Sequence, residues 1–169
     1  MLELVKLDFD NYDLLCEMMD EWTASESNIT PKAINKNDYH NRKKYIEEIE
    51  VTEAHSGLVP DSTFFCFDVE RNIFVGAVNI RHYLNERLLL NIGHIGVGIR
   101  PSERNKGYGT KMVALALEEC KKIGLDNVLM VCDKNNTASA RTIIKNGGIM
   151  ENEVEVNGRL WQRYWIKFF

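Results

Sequence analysis

At 169 residues, 44% of them hydrophobic and 27% charged, the chain has the size and composition of one folded domain rather than of a disordered segment. Its formal charge of −4 offers no broad attraction to nucleic acid or to an anionic membrane, so a phosphate-rich ligand would have to be held locally. Cys16, Cys66, Cys120 and Cys132 form no C-x-x-C pair and match no histidine spacing, which argues against a zinc site or a disulfide framework and for reduced, buried thiols.

Met1 to Asp8 carries acids where a signal peptide has bases, and no segment reaches the length of a membrane span, so a cytoplasmic location is expected. Leu2, Leu4, Val5 and Leu7 predict a short strand. Asp8 or Asp10 can then cap a helix whose apolar face holds Leu14, Leu15, Met18, Met19 and Trp22. From Ser25 to Asn37 the composition turns polar, which predicts a mobile loop, before a second helical pattern carrying Tyr45, Ile46 and Ile49. Thr63 to Phe67 and Ile73 to Ile80 are aromatic and β-branched runs that predict a hairpin. After a turn at Asn85-Glu86-Arg87, Leu88 to Ile99 reads as one long strand made irregular by Gly93, Gly96 and Gly98, glycines that mark a bulge or a close backbone approach.

Met112, Val113, Ala116, Leu117 and Cys120 recur at helical spacing, and Lys121-Lys122-Ile123-Gly124 ends that helix with cations and a glycine stop. A strand over Asn127 to Cys132 follows, so this strand–helix–strand unit reads as a parallel crossover. A further helix opens at Asn136-Thr137-Ala138-Ser139. Ile149 to Val156 and Leu160 to Phe168 then flank Asn157-Gly158, the dipeptide of a type I′ hairpin. In the closing strand Trp161, Trp165 and Phe169 are expected to pack rather than to form a stacking platform. The fold class that results is α/β (α+β). One domain over 1–169 is built on a mixed, partly parallel twisted sheet of about seven strands, with helices on both faces.

The most informative segment is Arg104-Asn105-Lys106-Gly107-Tyr108-Gly109-Thr110, set between the apolar run that ends at Ile99 and the helical pattern that follows. A strand, a basic glycine turn and a helix N-terminus make an anion site, because glycine lets the backbone approach a ligand and the first helical turn offers unpaired N–H groups. The spacing is neither a P-loop nor a complete G-x-G-x-x-G turn; it is Arg-x-x-Gly-x-Gly. Following His94-Ile95-Gly96-Val97-Gly98-Ile99-Arg100-Pro101, it resembles the coenzyme A pyrophosphate loop of the GNAT superfamily of N-acetyltransferases. The Asn136-x-x-Ser139 helix that runs into Lys145-Asn146-Gly147-Gly148 resembles a second family motif, and order and spacing agree over residues 63 to 169.

The resemblance implies acetyl-CoA as co-substrate, with no metal. It implies that Val97 and Ile99 bond the pantetheine arm through their main chain, and that Arg104, Asn105, Lys106, Gly107, Tyr108, Gly109 and Thr110 hold the pyrophosphate. Asn136 would reach the pantetheine while capping its helix, with Ser139 beside it. It further implies that the Ser25–Asn37 stretch flanks the acceptor groove.

Two residues of the family's acid–base chemistry are missing: Ile143 stands where many members have a tyrosine acid, and Gly93 where histone-type members have a glutamate base. His94 is the nearest titratable group and becomes the candidate base, with His82, Asp133, Glu86 or a water chain as alternatives. The expected partner is a primary amine on a small molecule or peptide; nucleic acid and membrane are not expected, and a homodimer stays open. A non-catalytic acyl-CoA sensor is the alternative function. A nucleotide-dependent phosphotransferase lacks both a Walker lysine and an acidic metal pair.

Overall fold

In this computed structural model, which describes residues 1–168, Asp8 builds the turn that starts the first helix. Its Oδ1 accepts from the backbone N–H groups of Asp10 and Asn11, each at 2.9 Å, and this turn leads the chain from β1 (Leu2–Val5) into α1 (Tyr12–Ser25). A short α2 (Arg42–Glu48) precedes the hairpin of β2 (Asp61–Asp68) and β3 (Ile73–Arg81). Then come α3 (Glu86–Asn91), β4 (Ile95–Ile99), α4 (Tyr108–Lys122) and β5 (Asn127–Asp133). Helix α5 (Thr137–Lys145) and the closing hairpin of β6 (Ile149–Val156) and β7 (Arg159–Lys167) complete the order. At the hairpin tip Asn157 and Gly158 both have positive φ, 52° and 78°, as a type I′ turn requires.

The strands form two sheets, ordered β1-β2-β3-β4 and β5-β7-β6. Alternation on β2 and β3 splits the core in two. Phe65, Phe74 and Ala77 pack beneath Trp22 and Leu15 of α1, while Val78 and Ile80 pack against Val113, Ala116 and Cys120 of α4. A bulge keeps the two faces sorted: Cys66 pairs with Gly76 and Phe67 with Phe74, so Val75 is the extra residue that brings Phe74 and Ala77 to the same side. Trp22 is fully buried, which is worth roughly 2–3 kcal/mol by apolar area alone.

Seven strands and five α-helices, with helices on both faces, answer to the expected class. The parallel centre does not form as a ladder. Every strand pairing among the described residues is antiparallel, and β4 and β5 meet only at an isolated bridge between Gly93 and Met130. At that bridge Gly93 has φ of +81°, and a Cβ would stand 2.5 Å from the Leu129 carbonyl oxygen, so the close approach requires glycine. The chain touches β5 there through one backbone-to-backbone bond, His94 N–H to Leu129 O at 2.8 Å. Beyond it β4 pairs with β3 alone, leaving a gap between the two sheets.

Three local expectations are corrected. Leu88 to Ile99 is not one strand: Asn85 caps α3 by accepting from Leu88 N–H at 2.9 Å, and Gly93 N–H closes the helix on Leu88 O at 2.7 Å. The Ser25–Asn37 stretch is packed rather than mobile. Ile29 and Ile34 are buried, Lys32–Ile34 form a 3₁₀ turn, and the Tyr45 hydroxyl donates to Ile34 O at 2.5 Å. In the last strand the core takes Tyr164 and Ile166, and Trp161 and Trp165 are half-buried on the opposite side; the expected packing of Phe169 lies outside the described residues.

Candidate functional site

The 104–110 segment is a turn clamped from beneath. Glu103, only 4% exposed, takes both guanidinium nitrogens of Arg71 at 2.6 and 2.8 Å. Those bonds, with the nearby Lys106 ammonium at 3.2 Å, hold its carboxyl down at about 2. The Tyr108 hydroxyl donates to Asp68 at 2.7 Å, so its ring packs away from the mouth of the turn. Asn105 and Gly107 have φ of 61° and 84°, which turns successive N–H groups toward a common side. Gly107 is the N-cap of α4 and supplies no side-chain cap, and among the described residues Tyr108, Gly109 and Thr110 have no partner for their N–H groups. A cluster of N–H donors backed by a helix dipole therefore faces solvent. The two cations expected to add charge are each paired already: Arg104 with Glu26 at 2.5 Å, Lys106 with Glu103.

Strand β4 leads straight into this turn. On its β3 side, Gly96 and Gly98 stand opposite Asn79 and Ala77, and the bond from Arg81 N–H to His94 O fixes the alternation so that these glycines make the ladder bonds. Ile95, Val97 and Ile99 consequently direct their N–H and C=O groups to the open edge. Thr30 Oγ1 donates to Val97 O at 3.1 Å and Arg104 Nε to Ile99 O at 3.0 Å, while among the described residues the N–H groups of Val97 and Ile99 have no partner.

Along the gap between β4 and β5 runs a groove of about 730 Å³. Val97, Met130, Cys132, Asn136 and Ser139 line it, together with Asn28, Lys32, Asp61, Asn79, Arg81 and Arg87. Asn136 caps α5, its side chain accepting from Ser139 N–H at 3.1 Å, and stands in the groove as well. Val97, Asn136 and Ser139 are thus brought together, and the 104–110 turn lies at the far end of the same strand.

His94, the candidate base, is placed outside the lining of the groove. It is 5% exposed, its Nδ1 accepts the Leu129 N–H at 2.9 Å, and burial, with Arg81 nearby, lowers its pKa to about 4. Its acceptor nitrogen is occupied, so the imidazole acts as a strut between β4 and β5. Ile143, where a tyrosine acid was missing, is core. The groove's own carboxylates are Asp61 and Asp133. Thr30, Asp61 and Arg81 share no local spacing in the sequence; strand pairing and the packed 29–34 segment bring them to one groove.

Comparison with known proteins gives the context. A family model described as an acetyltransferase (GNAT) domain matches residues 2–149. No curated protein matches the chain. Among solved structures, the microcin C7 self-immunity acetyltransferase MccE in complex with acetyl-CoA and AMP is similar at 16% identity and TM-score 0.69, over 99% of this chain and 92% of that one. A GNAT-family acetyltransferase from Bacillus anthracis shares 20% identity at TM-score 0.61, over 97% and 92%. The spermidine/spermine N-acetyltransferase SpeG from Vibrio cholerae shares 13% at TM-score 0.64, over 99% and 95%. At these identities the likeness to solved structures is one of fold.

Proposed function

Because the chain belongs to the GNAT family of acetyltransferases, we propose that it moves an acetyl group from acetyl-CoA to a primary amine on a small molecule or peptide. The observation that carries this reading is the unpaired edge of β4, which runs from the groove to the N–H cluster of the 104–110 turn. The N–H groups of Asn105 to Thr110 receive the pyrophosphate, and Gly109 leaves room for it. Ile99 and Val97 offer strand-like bonds to the amide-bearing pantetheine arm, and Asn136 closes on it from α5. Bound acetyl-CoA supplies an acyl carbon activated by its thioester.

At that carbon Val97 N–H is the donor placed to stabilise charge on the acyl oxygen as the amine attacks. The amine nitrogen forms its bond to the acyl carbon, the C–S bond breaks, and the proton shed by the amine leaves through groove water to Asp61 or Asp133. The departing sulfur takes up one proton from water. No side chain need act as a strong acid, since orientation and a preorganised donor lower much of the barrier.

Calorimetry with acetyl-CoA, on the parent and on Gly109→Asp, tests the cofactor site. The nearest side-chain atoms to a Cβ at position 109 are Thr142 Oγ1 at 3.8 Å and Ile99 Cγ1 at 4.0 Å, so the variant should fold. Its carboxylate would oppose the diphosphate, and an affinity loss of at least tenfold, on the order of a charge-assisted bond, is expected. Equal affinity in a folded Gly109→Asp would remove the turn from the site. Release of free thiol with any amine would exclude a purely sensory role.

A further inference from the structure

The charge of the groove runs against that of the chain. Overall the protein carries −4, yet five cations line the groove against two carboxylates. Among the described residues, Lys32, Lys36, Arg81 and Arg87 form no ion pair, and Arg159 only approaches Asp133, at 3.9 Å. Among them Arg81 reaches β4. It is half-buried, and its guanidinium occupies the space beside Gly96: a Cβ there would stand 3.3 Å from Arg81 Nη2 and the same distance from Pro31 Cβ.

Asp61 is its cross-strand neighbour on β2, but that carboxylate accepts from Val51 N–H at 2.8 Å and makes no ion pair with Arg81. The one bond recorded from the guanidinium is a long one, 3.5 Å to Gly93 O. Five donors in a fixed fork are thus left almost unused beside the β4 backbone. Arg87 stands near, its Nη2 on Gly57 O at 3.2 Å.

These cations do not belong to the pyrophosphate turn. Arg81 sits at Gly96, near the start of β4, whereas the turn follows its end, and the four residue-to-residue steps from Ile95 to Ile99 span about 13 Å. Between the two ends lies Val97, where the acyl group is received in the function proposed above.

Resting on that reading, we infer that the acceptor is an amine bearing an acidic group, a carboxylate or a phosphate, which Arg81 binds in bidentate fashion while the amino group points to Val97. Lys32, Lys36 and Arg87 form a positive rim that draws such a molecule in and repels polyamines. Such a groove differs from one suited to spermidine.

The test uses matched amines that differ in the acidic group alone: an α-amino acid and its amide, an aminoalkyl phosphate and the amino alcohol, with spermidine as the polycation. Each is assayed for thiol release with acetyl-CoA and titrated calorimetrically onto the coenzyme A-bound protein, so that binding is read even where turnover is absent. The acidic member of at least one pair should bind or react at least tenfold better than its neutral partner, and which pair responds tells carboxylate from phosphate. Arg81→Gln should erase most of that preference through KM, Arg81→Lys should restore part of it, and acetyl-CoA affinity should stay within about twofold in both. A thermal melt confirms that each variant is folded. Preference for the neutral amines or for spermidine, absence of any acidic preference in binding, or a preference untouched by Arg81→Gln would overturn the inference while leaving the acetyltransferase reading intact. Failure of the parent to bind acetyl-CoA would instead strike that earlier reading.

Discussion

His94 illustrates how one residue type can carry two opposite roles. A histidine on a strand beside a ligand edge suggests a base, but an imidazole that accepts a backbone N–H from the neighbouring strand is fixed in its neutral form. The folded pKa of about 4 lies below the ordinary 6.5, so the unfolded chain binds the extra proton more readily between these values. Stability from His94 is therefore complete above pH 6.5 and is lost as pH falls toward 4, by roughly 3 kcal/mol in all. Urea denaturation at pH 7 and pH 5 should show this slope in the parent and a flatter one in His94→Gln. The kcat/KM profile of a working amine should keep its acid limb in that variant. A limb that disappears with the imidazole would return His94 to the chemistry.

At the level of elements, the packed 29–34 segment and β4 depend on each other through a missing side chain. A Cβ on Gly98 would fall 1.8 Å from the Thr30 carbonyl oxygen, so the strand accepts this segment only as glycine. Gly98→Ala should cost about 1–3 kcal/mol as an overpacked contact and lower the melting temperature, whereas Gly109→Ala, with its nearest neighbour at 3.8 Å, should melt close to the parent. A Gly98→Ala protein with unchanged melting would show that the segment yields at little cost. The strands, α1, α4, α5, the glycine turn and the Asn157-Gly158 hairpin were legible because each is set by local periodicity or by a cap. Helix α3 was hidden by its apolar run Leu88-Leu89-Leu90, although Asn85 and Gly93 carried its signals. The hold of Thr30 on Val97 joins residues 67 apart, and nothing in local sequence encodes it. Arg81 escaped notice for the same reason: its meaning comes from lying across Gly96.

Taken whole, the molecule is two antiparallel sheets joined at Gly93 and Met130 and spread along the rest of their shared boundary. A ligand seated along that boundary would bridge both halves, so acetyl-CoA at a hundredfold excess over its dissociation constant should stabilise the fold by about 2.7 kcal/mol. For a chain of this length that is roughly 5–10 °C in melting temperature, measurable by scanning calorimetry, and no shift at saturating ligand would deny binding to the folded protein. The β4 edge has another side. An unpaired strand margin is a template on which a second chain can add its own strand, the first step of sheet-to-sheet aggregation. Here two of its carbonyls are plugged by Thr30 and Arg104, and the strand is only five residues long, Ile95–Ile99. The two side chains that cover these carbonyls therefore also oppose polymerisation through the gap between the sheets.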